Sequence, residues 1–244
     1  MEKNQNLNDH LKELRVRLIR SLWAVLIVAA IAYAYSEQLF DYLRLPAQKY
    51  LPSGGLVFTH PTDKFMAHLK IAIYSGLGLS CPVWLYQLWA FVAPGLYQKE
   101  KKYATLFILS GSLLMLLGIS FCYFAVLPPA FEFLFNFGGS VDKPMITITE
   151  YLGFVVQMTL MFGVAFQLPL VLVLLGISGI VTSQFLRKQR RIAYFLLGVL
   201  SAVLTPTPDA LSMFMMLIPM TILFEIAIFL VARVQKNLEE PSQI

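Results

Sequence analysis

The sequence predicts an all-α integral membrane protein of six transmembrane helices with both termini in the cytoplasm. Three observations carry that expectation. The 244 residues are 58% hydrophobic and 14% charged, with mean hydropathy +0.69. A soluble domain carries about a quarter charged residues to face water. The charges also cluster, leaving long uncharged runs at 21–36, 71–98, 103–131, 151–186, 192–208 and 210–224. Finally, Lys and Arg concentrate in alternate loops. With six spans, fourteen of the 19 lie on the side of the termini and five on the other, which places the termini inside.

Each span follows from length, since about 20 apolar residues at 1.5 Å rise cross about 30 Å of hydrocarbon. The expected spans are 18–36, 70–93, 103–127, 151–175, 192–204 and 211–231, within one polytopic domain covering 1–244. The first is preceded at 8–18 by an amphipathic helix, with Leu7, Leu11, Leu14 and Leu18 at helical spacing and Glu13–Arg17 at i,i+4. That apolar run is longer than a cleavable leader's core, and five more spans follow it. Pro94 is read as closing the second span and Pro128-Pro129 the third. The fifth has only thirteen apolar residues, and the sixth meets Glu225 after fifteen, so the last two are expected to be short. Gly and Pro are near average and Cys81 and Cys122 lie at different depths, so disorder and a disulfide scaffold are excluded.

Covalent chemistry finds no support. There is no Gly-Lys-Ser/Thr phosphate cradle. His10, His60 and His68 lie outside or at the edge of the spans, so Ser110 and Ser112 have no base in a later span. Two cysteines make a poor metal site, and no cofactor or nucleic-acid partner is indicated. What calls for explanation is a small set of polar groups. Glu13 and Glu100 sit near the cytoplasmic surface, and converging carboxylates favour guanidinium over ammonium. Gln167 lies about 22 Å along the fourth span from Leu152, just before Pro169, where it is read as satisfying a kinked backbone or serving function. Glu225 is an intramembrane carboxylate, which is costly and usually faces protein or a water cavity.

These residues fall in five ordered blocks, HLKELRVRL (10–18), CPVWLYQLWAFVAPGLYQKEKK (81–102), FGVAFQLPLVL (162–172), LTPTPDALS (204–212) and IPMTILFEIAIF (218–229). Together they resemble the TatC family, the polytopic core of the twin-arginine protein translocase. The resemblance implies a six-span, cup-like bundle with a concave face. It implies a non-enzymatic receptor in the bacterial inner membrane for the twin-arginine signal peptides of folded precursors. Glu13 and Glu100 would contact the paired arginines, with Arg15, Arg17, Phe91, Pro94, Leu96 and Tyr97 in the same surface. Pro46 and Asp209 fall in external segments. The last two spans, with Thr205, Thr207 and Met213, would meet single-span TatA and TatB partners in a homo-oligomeric, proton-motive-force-driven complex. Two positions depart from the family pattern: Gln167 stands where Glu is frequent, and Met213 where Gln is common. The alternative function is a secondary transporter using Gln167 and Glu225 as a coupling-ion site, for which the expected repeat symmetry is absent from the sequence.

Overall fold

The computed structural model describes the backbone of residues 2–50, 55–92, 104–136, 145–206 and 209–239. Among the described residues the regular structure is helical, apart from one isolated parallel bridge between Val57 and Thr147. The helices are α1 (Glu2–Ala34), α2 (Ser36–Arg44), α3 (Asp63–Leu79), α4 (Cys81–Val92), α5 (Ala104–Phe121), α6 (Leu127–Asn136), α7 (Ile148–Ala165), α8 (Leu168–Ile177), α9 (Ser183–Lys188), α10 (Arg190–Leu204) and α11 (Ala210–Glu239). Four segments are long and apolar enough to cross a membrane: 12–34, 105–136, 148–177 and 210–236. The α3–α4 pair qualifies jointly as a fifth. At 15 residues, about 22 Å, α10 falls short of a full crossing.

The breaks have local causes. Pro82 lacks an N–H and its ring would strike the carbonyl one turn back, so α3 ends at Leu79 and α4 leaves at 50°. The Leu77 carbonyl, in the last turn of α3, accepts the Trp84 indole N–H at 3.1 Å. The expected unbroken second span is therefore two helices. Pro128-Pro129 do the opposite of what the sequence suggested. A π-helical turn at 122–126 widens the ladder ahead of them, and the helix runs on through α6 to Asn136 instead of ending at 127. Of the two final helices expected to be short, only α10 is. The last, α11, carries 30 residues through Pro219 and Glu225, because the acid finds partners on its neighbour. The 8–18 segment is continuous with α1.

Pro169 separates α7 from α8, and α8 ends in a Schellman motif. Gly179 takes the left-handed conformation at φ +71°, its N–H bonding the Gly176 carbonyl at 3.2 Å while Ile180 N–H bonds Leu175 at 3.1 Å. Nearby, Gln235 near the end of α11 accepts the Ser183 N–H at 3.1 Å and donates to the Val181 carbonyl at 3.3 Å. At the other end of the molecule, α2 and the 3-10 turn Leu45–Ala47 lie over the bundle. Tyr123 and Tyr151 hydroxyls donate to the Tyr42 and Leu43 carbonyls at 2.6 and 2.7 Å and hold this cap down.

Packing within the bundle uses small residues where backbones meet, as expected without a hydrophobic force between helices in lipid. A Cβ at Gly76 of α3 would lie 2.7 Å from Ala29 Cβ and 2.8 Å from the Val25 carbonyl oxygen of α1. One at Gly118 of α5 would lie 2.7 Å from the Phe162 carbonyl oxygen of α7. Around this seam Phe162, Leu152 and Met158 are fully buried, whereas Leu109, Phe195 and Val203 face outward at 67–73% exposure. Gly118→Val should therefore force α5 from α7 and cost about 1–3 kcal/mol, the usual penalty of overpacking. The melting midpoint in detergent should fall accordingly, and an unchanged midpoint would mean the seam relaxes freely.

Candidate recognition surface and intramembrane polar groups

The i,i+4 spacing of Glu13 and Arg17 puts both on one face of α1. Glu13 Oε1 accepts Arg17 Nε at 3.1 Å and Nη2 at 2.5 Å. Both side chains are partly shielded, at 35% and 20% exposure. One turn on, the Ser21 hydroxyl donates to the Arg17 backbone carbonyl at 3.1 Å. Arg15, two positions from each, points to the exposed side. Because α1 packs along both α3 and α4, the helix bearing Glu13 neighbours the one that ends near Phe91. Phe91 is half-buried in the last turn of α4, beside Trp89, whose ring meets Phe107 of α5 at 4.9 Å. Of the sequence-predicted surface, Pro94, Leu96, Tyr97 and Glu100 lie outside the described residues.

Gln167 is 6% exposed, in the break between α7 and α8. Its Nε2 donates to the Gly111 carbonyl of α5 at 3.0 Å, while its Oε1 is buried with no partner among the described residues. The sequence left open whether it serves its own kinked backbone or a function; its amide nitrogen reaches a different helix. Gly111 permits this, since a Cβ there would lie 2.6 Å from Leu85 and 3.3 Å from Gln167 Oε1. Gln167→Leu gives up an interhelical hydrogen bond worth about 0.6 kcal/mol on average and also removes the orphaned oxygen. The expected result is a melting midpoint within a few degrees of the parent and retained activity. Loss of activity at normal membrane level would give Gln167 a direct role.

Glu225 is held from α10. Arg190 Nη2 donates to Oε2 at 2.6 Å and the Tyr194 hydroxyl to Oε1 at 2.5 Å, so both carboxylate oxygens are engaged. Arg190 and Tyr194 were not singled out in the sequence; their i,i+4 spacing on one helix was the available signal. Gln167 and Glu225 thus commit to different helices, α5 and α10, and no hydrogen bond among the described residues joins them.

The turn between α10 and α11 gathers small polar groups. Thr205 is buried and donates to the Ser201 carbonyl at 3.0 Å, closing α10. Asp209 accepts the Ser212 N–H at 2.7 Å and starts α11. Ser201 and Ser212, both fully buried, were missed, and Ser212 Oγ has no partner among the described residues. Met213 is half-buried in the first turn of α11, and Thr207 lies outside the described residues. Pro46 is the middle residue of the 3-10 turn of the cap, next to the fully buried Ala47. Among the described residues no group of three His, Cys, Asp or Glu is placed to hold a metal.

Residues 9–219 match the family model described as "Sec-independent protein translocase protein (TatC)". The protein of that name from Desulforapulum autotrophicum is 39% identical over 228 residues, covering 93% of this chain and 84% of the relative. That of Escherichia coli K12 is 38% identical over 232 residues, covering 94% and 89%. Among solved structures, one titled as the crystal structure of the twin arginine translocase receptor TatC superposes with a TM-score of 0.79 at 36% identity. It covers 91% of this chain and 97% of that one. A second, in the detergent DDM, gives 0.80 at 35%, covering 91% and 98%.

Proposed function

The chain belongs to the TatC family, a non-enzymatic multi-pass component of the twin-arginine translocase in the inner membrane, and from that premise we propose that it is the signal-peptide receptor of this system. Glu13 and Glu100 receive the paired arginines of a folded precursor at the cytoplasmic face. One observation carries the reading: Glu13 already holds a guanidinium, that of Arg17, through two donors to one oxygen. A signal arginine brings the same planar fork and exchanges with Arg17 for a carboxylate preset to bind it. The lysines at 99, 101 and 102 repel a cationic ligand at long range, so affinity arises from close contact. Arg15, Phe91, Pro94, Leu96 and Tyr97 complete the surface.

In this reading α3–α4 and α10 each count as a crossing, which gives six spans of a cup-like domain and puts both termini in the cytoplasm by the Lys/Arg asymmetry. The α10–α11 hairpin, with Thr205, Thr207 and Met213 near its external turn, receives TatA and TatB. Several copies assemble in the receptor complex, and export draws on the proton-motive force. Photocrosslinking tests the receptor role directly. A photoreactive residue replaces Phe91 in native membranes, and the precursor carries Arg-Arg or Lys-Lys. An adduct with Arg-Arg that is lost with Lys-Lys is expected; equal adducts would overturn the assignment.

A further inference from the structure

Beneath the cap, α2 and α3 enclose a cleft of about 490 Å³ floored by Ala67 and Ile148. Its walls carry opposite charge at helical spacing. Glu37 and Asp41 stand at i,i+4 on α2, with Arg44 beyond them, and Lys64 on α3 has the His68 imidazole one turn along. Asp41 is neutralised within its own helix by Arg44 at 3.2 Å. Glu37 and Lys64 do not pair across the gap, and no ion pair among the described residues includes either. Lys64 rests instead over the Phe58 ring at 5.0 Å, and the His68 ring stacks on Phe40 at 5.8 Å with its Nδ1 buried and without a partner among the described residues.

The Glu37 carboxylate and the Lys64 ammonium, neither in an ion pair among the described residues, line one cleft and fit a ligand bearing both an ammonium and a phosphate. The rim fits a lipid source. Phe58, Phe65 and Met66 are 46–53% exposed beside the charged groups, and α3 continues from here into the bilayer. We infer that this cleft binds the zwitterionic headgroup of an aminophospholipid, its ammonium on Glu37 and its phosphate on Lys64 and His68. Charge-assisted hydrogen bonds at an interfacial depth supply the selectivity. Placing the cleft at the outer leaflet rests on the orientation proposed above; the recognition chemistry does not.

Native mass spectrometry of the detergent-purified chain, titrated with dioleoyl-phosphatidylethanolamine or dioleoyl-phosphatidylglycerol, tests this independently of orientation. Phosphatidylethanolamine should bind about tenfold tighter or better, the effect of one added charge-assisted bond. Glu37→Gln should collapse that ratio towards one, because only Glu37 reads the ammonium. Lys64→Gln should weaken both lipids alike, because both carry the phosphate. Each residue is exposed, so the melting midpoint without lipid should not move. Equal binding of the two lipids, or an unchanged ratio in Glu37→Gln, would overturn the inference. Competition by water-soluble glycerophosphoethanolamine at equal potency would keep the site and overturn the bilayer as its source. Labelling of Gly55→Cys by an impermeant thiol reagent from the cytoplasmic side would overturn the orientation alone.

Discussion

Alanine in place of Glu13 or Glu100 is expected to abolish export of twin-arginine precursors while the protein remains in the membrane at normal level. Hydrogen bonds to charged groups contribute about 1.5–3 kcal/mol each, so losing one carboxylate weakens binding by roughly 10-fold to 150-fold. The effect on Glu13→Ala is compounded, because Arg17 loses its partner and adds an unpaired cation where a cationic ligand must land. Glu13→Asp keeps the charge but withdraws the oxygen by one methylene, and should give an intermediate loss. Arg17→Gln removes the internal competitor and should raise the yield of the Phe91 crosslink. The measurement is the ratio of exported to retained precursor in intact cells, beside the membrane level of the variant. Normal export by Glu13→Ala and Glu100→Ala would end the receptor assignment.

Lengthening α10 should be nearly as severe. Its 15 residues span about 22 Å against about 30 Å of hydrocarbon. A helix this short thins the bilayer around it or is relieved by a partner, at fractions of a kcal/mol per ångström of mismatch. Inserting four alanines after Gly198 adds about 6 Å and pushes the Ser201–Thr205 end outward. Arg190 and Tyr194, on the near side of the insertion, keep their hold on Glu225. Export should fall sharply with the protein still folded. Retained export would show that the short helix has no part in breaching the membrane. An insertion of equal length after Gly139, in the sequence between α6 and α7, is the control and should be tolerated.

The long apolar helices were legible, because an uninterrupted apolar run of two dozen residues has few stable forms other than a helix long enough to cross a membrane. Interruptions were harder to read, since proline reports where a hydrogen bond is lost and not how the chain absorbs the loss. Pro82 produced a bend, Pro169 a break, and Pro128-Pro129 neither, because a π turn prepared the ladder for them. In the candidate site, spacing sufficed for Glu13 and Arg17, which meet within one helical turn. It failed for Gln167 and Glu225, whose partners lie 56, 35 and 31 residues away. Both had been singled out as costly groups needing an answer. Periodicity identified the need, but only the packing of α5 and α10 supplied the partner.

Gln235 has a consequence for the order in which the chain is built. The Ser183 N–H and Val181 carbonyl that it satisfies leave the ribosome 52 and 54 residues before it. The face of α8 that receives Val231 at Gly176 is likewise finished long before α11 exists. During synthesis α8 therefore waits with an unfilled groove and a turn whose polar groups have only water. The last helix to be made is the one that closes both. A chain stalled before residue 230 should be inserted yet open along α8, and a quality-control protease should find it there.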